Sequence, residues 1–273
     1  MTSPASGASA ADLPDYAPIP RSALGPALND QRYYVGRVER NLYWVTDGVY
    51  QSAFLTTPDG VVLFDAPPSI GGNLRRAVDE IAAANGVPTT VTHLVYSHHH
   101  ADHGGAASLF NGAVRIGHEE TRRLLLRDNS PARPAPEVIY DTNLSEDVPG
   151  YMAAPAIALS YPWTHFISGH VGRLATRDDV AVHQQYIADI EASSREALTS
   201  VDPVPFYMHY GQNPWAGIRA HLNTVTERAA APVIAKYTGV LAAADIEIFT
   251  WTTTFAIMQS LRLDSGPSGP VHP

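Results

Sequence analysis

Ser97-His98-His99-His100-Ala101-Asp102-His103-Gly104-Gly105 is the stretch on which the fold assignment turns. It follows a β-rich run, TVTHLVYS (residues 90–97), and so sits past the carboxyl end of an expected strand, where open α/β sheets usually place ligands. Side chains alternate along extended backbone, so His98 and His100 point one way and His99 the other. Asp102 and His103 then turn the corner with a carboxylate and a further imidazole, and Gly104 with Gly105 lets the backbone fold tightly into the next helix. Adjacent imidazoles repel once protonated near their ordinary pKa of ~6.5, so the cluster is costly unless a cation holds them neutral, as a bound metal does.

Before this segment, YVGRV, LYWVT, VYQSAFLTT and VVLFDA, separated by Asp47-Gly48 and Asp59-Gly60, predict the strands of a meander. Leu74, Ala77, Val78, Ile81 and Ala82 then share one helical face, and Gly86 stands where a left-handed cap would end that helix. After the histidines the pattern predicts a short helix around Ala106 to Phe110, a strand AVRIG (113–117), a helix from His118 to Arg127, a Pro-rich loop SPARPAP (130–136) and one strand-like run, VIY (138–140). A helix leads to THFISGH (164–170), read as a strand running into a loop. The last third is mostly helical: Asp178 to about Leu198, then a helix whose buried face is marked by Trp215, Ile218, Leu222, Val225 and Ala229. Residues 1–30 read as a flexible Ala/Ser/Pro-rich tail, 31–265 as a single domain, and 266–273 as a disordered end. There is no internal repeat.

The 273 residues carry 27 acidic against 18 basic groups, a net charge of -9, with 12 His and no Cys. Without cysteine there is no disulfide framework, zinc ribbon or thiol catalyst, and any metal must be held by His, Asp or Glu. The acidic balance, with no Lys/Arg block, argues against nucleic acid or an anionic membrane as partner and favours a small-molecule substrate. No run approaches the roughly 18 apolar residues that span a bilayer, and the first basic residue is Arg21, so the expected location is cytoplasmic.

SHHHADHGG resembles the HxHxDH signature of the metallo-β-lactamase superfamily, and the preceding FDAPPS looks like that family's strand-ending aspartate turn. The resemblance runs from about Tyr33 through GHVGRLATRDDV to the C-terminal helices. It implies an α/β fold, an αββα sandwich, with one or two zinc ions in a cleft at the sheets' edge. Carried over by residue, it implies that His98 and His100 belong to a first metal site, and that Asp102, His103 and His170 belong to a second. Asp65 is then either a support for those ligands or a strand-end turn residue. The implied activity is a zinc-dependent hydrolase that turns a metal-bound hydroxide on an ester, lactone, thioester or amide carbonyl, with Asp102 at the catalytic metal. His and Asp ligands also accept iron or manganese.

This chain departs from the family pattern in lacking an evident middle histidine and bridging aspartate between Gly104 and Gly169. The same region holds few strands, so the second sheet is expected to be incomplete and the first site weak. His118 and His165 lack the setting of a ligand. A second alignment makes GHVGR the middle motif, with Asp189 as bridge and His209 or His221 as final ligand. The rival functional reading is a non-catalytic metal-binding protein or a degenerate remnant, whose exposed sheet edge would favour homo-oligomers. Trp163, Trp215, Trp251 and Tyr186 read as core rather than as the lining of a substrate pocket, His93 as a strand residue, and Ser97 as a hydroxyl satisfying its own strand end, with orientation of a ligand as the alternative.

Overall fold

The computed structural model describes residue 21 and residues 24–126, 144–145, 147–170, 172–263, 265–266 and 269–270. Four strands, β1 (Tyr34–Glu39), β2 (Leu42–Thr46), β3 (Gln51–Thr57) and β4 (Gly60–Phe64), form the expected antiparallel meander. The Asp47-Gly48 turn works because Asp47 Oδ1 accepts from the backbone N–H of Val49 and Tyr50 while Gly48 takes φ +93°.

α1 (Gly72–Ala84) crosses back over the sheet with Leu74, Ala77, Val78 and Ala82 buried, and Gly86 follows it at φ +69°. β5 (Val91–Val95) and β6 (Val114–Ile116) then add in parallel, giving the order β1-β2-β3-β4-β5-β6. Between them lie α2 (Ala101–Gly104) and a 3₁₀ turn at Ala107–Phe110. Phe54, Leu63, Leu74, Val78 and Leu94 fill the core between sheet and α1. At the sheet's edge β6 leaves Val114 58% and Ile116 45% exposed.

Helices make up the rest: α3 (Glu119–Leu126), α4 (Val148–Ser160), α5 (Arg177–Ser200), α6 (Val204–Tyr210), α7 (Pro214–Tyr237), α8 (Ala242–Asp245) and α9 (Glu247–Leu263). Tyr186, Ile190, Val233, Tyr237 and Ile257 pack between α5, α7 and α9, and Ala197, Val225, Ala229 and Met258 extend that contact. α5 starts in a capping box, Thr176 with Asp179, as the hydroxyl and carboxylate around its first turn suggest.

The α/β class is as expected. The second sheet goes further than incomplete: among the described residues only a two-residue ladder, β7 (Ser265–Gly266) with β8 (Gly269–Pro270), exists besides the main sheet. SPARPAP, VIY and residues 1–20 lie outside the described residues. THFISGH is not a strand. It belongs to a loop that makes single bridges, Phe166 with Ala175 and His170 with Tyr50, because it pairs once with its own return and once with the start of β3. The α7 face is also shifted: Val225 and Ala229 are buried, but Trp215 is 79% exposed. The first turn packs through Gly217, against Tyr207 of α6. Two residues away is about 200° around the helix, so Trp215 faces the other side. Among the described residues no helix is long and apolar enough to cross a membrane.

Candidate metal centre

β4 and β5 end side by side, and the chain turns sharply after each. Asp65 follows β4 at φ +58°, a left-handed conformation that aspartate tolerates better than most side chains. Its carboxylate accepts from the backbone N–H of Ser97 at 2.8 Å and from the Ser97 hydroxyl at 2.6 Å. Next to it, Ala66 donates its N–H to the His103 carbonyl and accepts from the Ala106 N–H, strapping the aspartate turn to α2. The histidine segment is thus clamped at both ends by two residues of one turn.

The Ser97 hydroxyl also lies 2.8 Å from His98 Nδ1. A hydroxyl has one proton, and here it goes to Asp65, so Nδ1 of His98 carries the hydrogen and donates to Ser97. That leaves the His98 Nε2 lone pair outward. Burial first, then the neighbouring His103 and His100, push the His98 pKa down to about 4, keeping the ring neutral. Its ring centroid is 4.6 Å from those of both His100 and His103. His99 does not leave the cluster as alternation predicts: its ring lies 4.7 Å from His100. The strand ends at Val95, so strict alternation no longer governs these side chains.

Asp102, His103 and His170 come together, with one ligand atom from each lying within 4.8 Å of the others. His103 Nε2 faces His170 Nε2 at 3.1 Å; Asp102 Oδ2 is 3.5 Å from the first and 3.8 Å from the second. Ligands of a tetrahedral zinc at about 2.0–2.1 Å stand about 3.3–3.5 Å apart, so the triangle needs only small adjustments to close on a metal. Both imidazoles are held neutral, His103 at about 4 through burial and against the pull of Asp102, and His170 lowered by burial as well. Two neutral nitrogens and a carboxylate oxygen facing one point are a donor set suited to zinc, and the residues fit the ion.

Residues far away in sequence complete the shell. The Tyr50 hydroxyl donates to Asp102 Oδ2 at 3.3 Å, and its ring leans on His170 and His103, centroids 4.7 and 5.5 Å away. Gln51 Nε2 donates to Ser168 Oγ and to the carbonyls of His170 and Arg173, and the Gln51 N–H to the Gly169 carbonyl. Gly169 is needed because a Cβ there would stand 2.7 Å from His103 Cε1.

Tyr50 and Gln51 carry no signal in the sequence, since only the fold brings them to residues 102 and 170. Ser97 did have one, its place between a strand end and the first histidine, and its contact with His98 follows the orienting alternative rather than the backbone cap. Asp65 reaches the candidate ligand His98 through that same link.

The second alignment finds no support in position. Asp189 takes Lys236, Tyr237 and Gln185 as partners, and His221 lies against the Val201 carbonyl. His209 packs on Tyr210, and His118 Nδ1 accepts from the Glu120 N–H at the start of α3. No third ligand joins His98 and His100 among the described residues.

Residues 45–136 match the model of a family described as the metallo-beta-lactamase superfamily. A probable metallo-hydrolase of Bacillus subtilis (strain 168), YqjP, is 33% identical over 66 residues, 24% of this chain and 21% of that protein, so the chain spans about a fifth of that relative's length. Among solved structures, a metallo-beta-lactamase from Pontibacter korlensis is similar at 13% identity with a TM-score of 0.44, over 57% of this chain and 99% of that one. A motif mutant of a metallo-beta-lactamase from Cronobacter sakazakii is similar at 23% identity with a TM-score of 0.32, over 41% and 45%.

Proposed function

We infer that this chain, whose residues 45–136 match the model of the metallo-β-lactamase superfamily, is a metal-dependent hydrolase whose ion is held by Asp102, His103 and His170. The observation that carries this reading is the facing pair of imidazole nitrogens with the Asp102 carboxylate beside them. Held by these three side chains, a zinc ion would supply an acidified water and a Lewis acid for a carbonyl oxygen. The substrates proposed are esters, lactones, thioesters or amides.

The chain's own residues have defined tasks. Tyr50 holds the Asp102 carboxylate by its hydroxyl and fixes the plane of His170 with its ring. Gln51 and Gly169 place the His170 loop against His103. His98 and His100 stand beside the triad, where they would accept a proton or hold a second, weaker ion.

The test is hydrolysis of a panel of chromogenic esters, a lactone and a β-lactam by zinc-loaded protein, compared with a His103→Ala, His170→Ala double variant. Turnover lost in the variant supports the reading; equal rates in both would overturn it. A second reading, a metal-binding protein without hydrolytic activity, is favoured by one observation: among the described residues His98 and His100 lack a third ligand. It predicts bound zinc with no turnover on the whole panel. We further propose a cytoplasmic protein with a small-molecule substrate and no nucleic acid or membrane partner, on the charge balance given above.

A further inference from the structure

α4, the start of α5, residues 166, 168, 173 and 175 and residues 240–242 line a half-open cavity of about 520 Å³. Ala154, Pro155, Ala158, Phe166, Val182 and Leu241 give it a mostly carbon wall. Well-packed interiors keep few voids larger than a water, because every lining atom without a neighbour forfeits dispersion energy. This cavity lies instead within the about 300–1,000 Å³ of small-molecule sites and shares their make-up, apolar walls with a few polar groups.

Those polar groups are specific. The Tyr151 hydroxyl meets His183 Nε2 at 3.2 Å, and burial lowers the His183 pKa, which keeps that ring uncharged. Arg173 also lines the cavity, but its guanidinium grips Asp179 at 2.6 and 3.0 Å, and Asp178 adds an acidic group. The wall therefore offers no net positive charge to an anion.

We propose that this cavity is a binding site for an uncharged, largely apolar molecule carrying one hydroxyl or carbonyl oxygen, which Tyr151 and His183 hold. None of the three candidate metal ligands lines it, so the site stands whether or not the hydrolase reading does. Its occupant would touch Phe166, Ser168 and Arg173, on the segment that Gln51 ties to β3.

The test titrates the full chain with 6-propionyl-2-dimethylaminonaphthalene, an uncharged ketone dye whose emission shifts to the blue in apolar surroundings. Saturable binding at one site is expected, weakened in Val182→Phe, which puts a phenyl ring into the cavity. Tyr151→Phe should weaken it about three- to tenfold, as one lost hydrogen bond does. Decan-1-ol should displace the dye, and decanoate at least about tenfold less well, because its charge would be buried unpaired. Non-saturable binding, unchanged binding in a natively folded Val182→Phe protein, or equal displacement by decanoate would overturn the proposal. So would loss of binding in Trp215→Ala, which would place the dye on the exposed surface of α7. If Val182→Phe does not fold, Tyr151→Phe and the competition decide.

Discussion

Tyr50 shows how much of the candidate metal centre depends on a single side chain outside the histidine segment. Its hydroxyl serves Asp102 and its ring backs both His103 and His170, so it ties ligands from two parts of the chain to one strand start. Tyr50→Phe keeps the ring and removes only the bond to the carboxylate. Zinc affinity, measured by competition with a chromophoric chelator, should fall about tenfold, the lower end of the about 10–100-fold effect of such supporting partners. Unchanged affinity would take the hydroxyl out of the site. Gly169→Ala makes a sharper demand, since its Cβ would meet His103 Cε1 at 2.7 Å. Either the loop or the imidazole must move, so we expect a loss of about 1–3 kcal/mol in urea unfolding, the usual cost of overpacking, together with weaker zinc binding. Stability and zinc affinity both at wild-type values would show that the loop yields freely. At this scale the sequence was informative where candidate ligands are close in sequence and silent where they are not. His98, His100, Asp102 and His103 could be read from spacing, whereas Tyr50 and Gln51 are ordinary strand residues until β3 is laid beside residues 102 and 168–173.

Among the elements, the loop carrying His170 is the one whose placement has to be built. It has no ladder of its own beyond two single bridges, and it is held by Gln51 on one side and by Arg173 on Asp179 on the other. Asp179 is also the third residue of α5, so one carboxylate closes the capping box and anchors the loop. Chiefly the Arg173 hydrogen bonds, with help from the Thr176 N–H and hydroxyl, hold its carboxyl well below the usual carboxylate range. A group depressed in the folded state stabilises it above the ordinary pKa of ~3.9 and loses that contribution as pH falls towards the folded value. Asp179→Asn should therefore cost about 1 kcal/mol at pH 7, a modest figure because both partners are partly exposed. The gap to the wild type should narrow at about pH 3, as urea midpoints at the two pH values will show; a gap that is constant with pH would mean that the charge is irrelevant. The strands of the meander, α1 and α5 were legible because apolar periodicity and turn residues agree there. THFISGH was misread because Phe166 and Ile167 give a strand composition to a loop that long-range bonds hold in place, and the first turn of α7 because periodicity cannot say where a neighbouring helix ends.

Taken whole, the molecule is a sheet half and a helical half with separate cores, and the candidate metal centre lies across their junction. Asp102 and His103 belong to the sheet half, following β5, while His170 stands seven residues before α5 in the segment leading into the helices. A metal at this point would bind only when both parts are in place, so its binding energy would count towards holding them together. The second sheet that the family resemblance implies is missing from the described residues, which makes this bond more important than it would be with a full sandwich. For a ligand bound only by the folded state, the gain is about 2.7 kcal/mol at a hundredfold excess over Kd and about 4.1 kcal/mol at a thousandfold. Zinc added to metal-free protein should thus raise Tm by several degrees, and EDTA should reverse the rise. In the His103→Ala, His170→Ala variant neither addition should shift Tm, and elemental analysis should find about one zinc per wild-type chain and none above background in the variant. The two measurements separate the possibilities: bound zinc without a shift in Tm would mean that the unfolded chain holds the ion as well as the folded one does, so that the three side chains form no built site. A zinc-dependent shift that survives in the variant would place the ion on His98 and His100 instead.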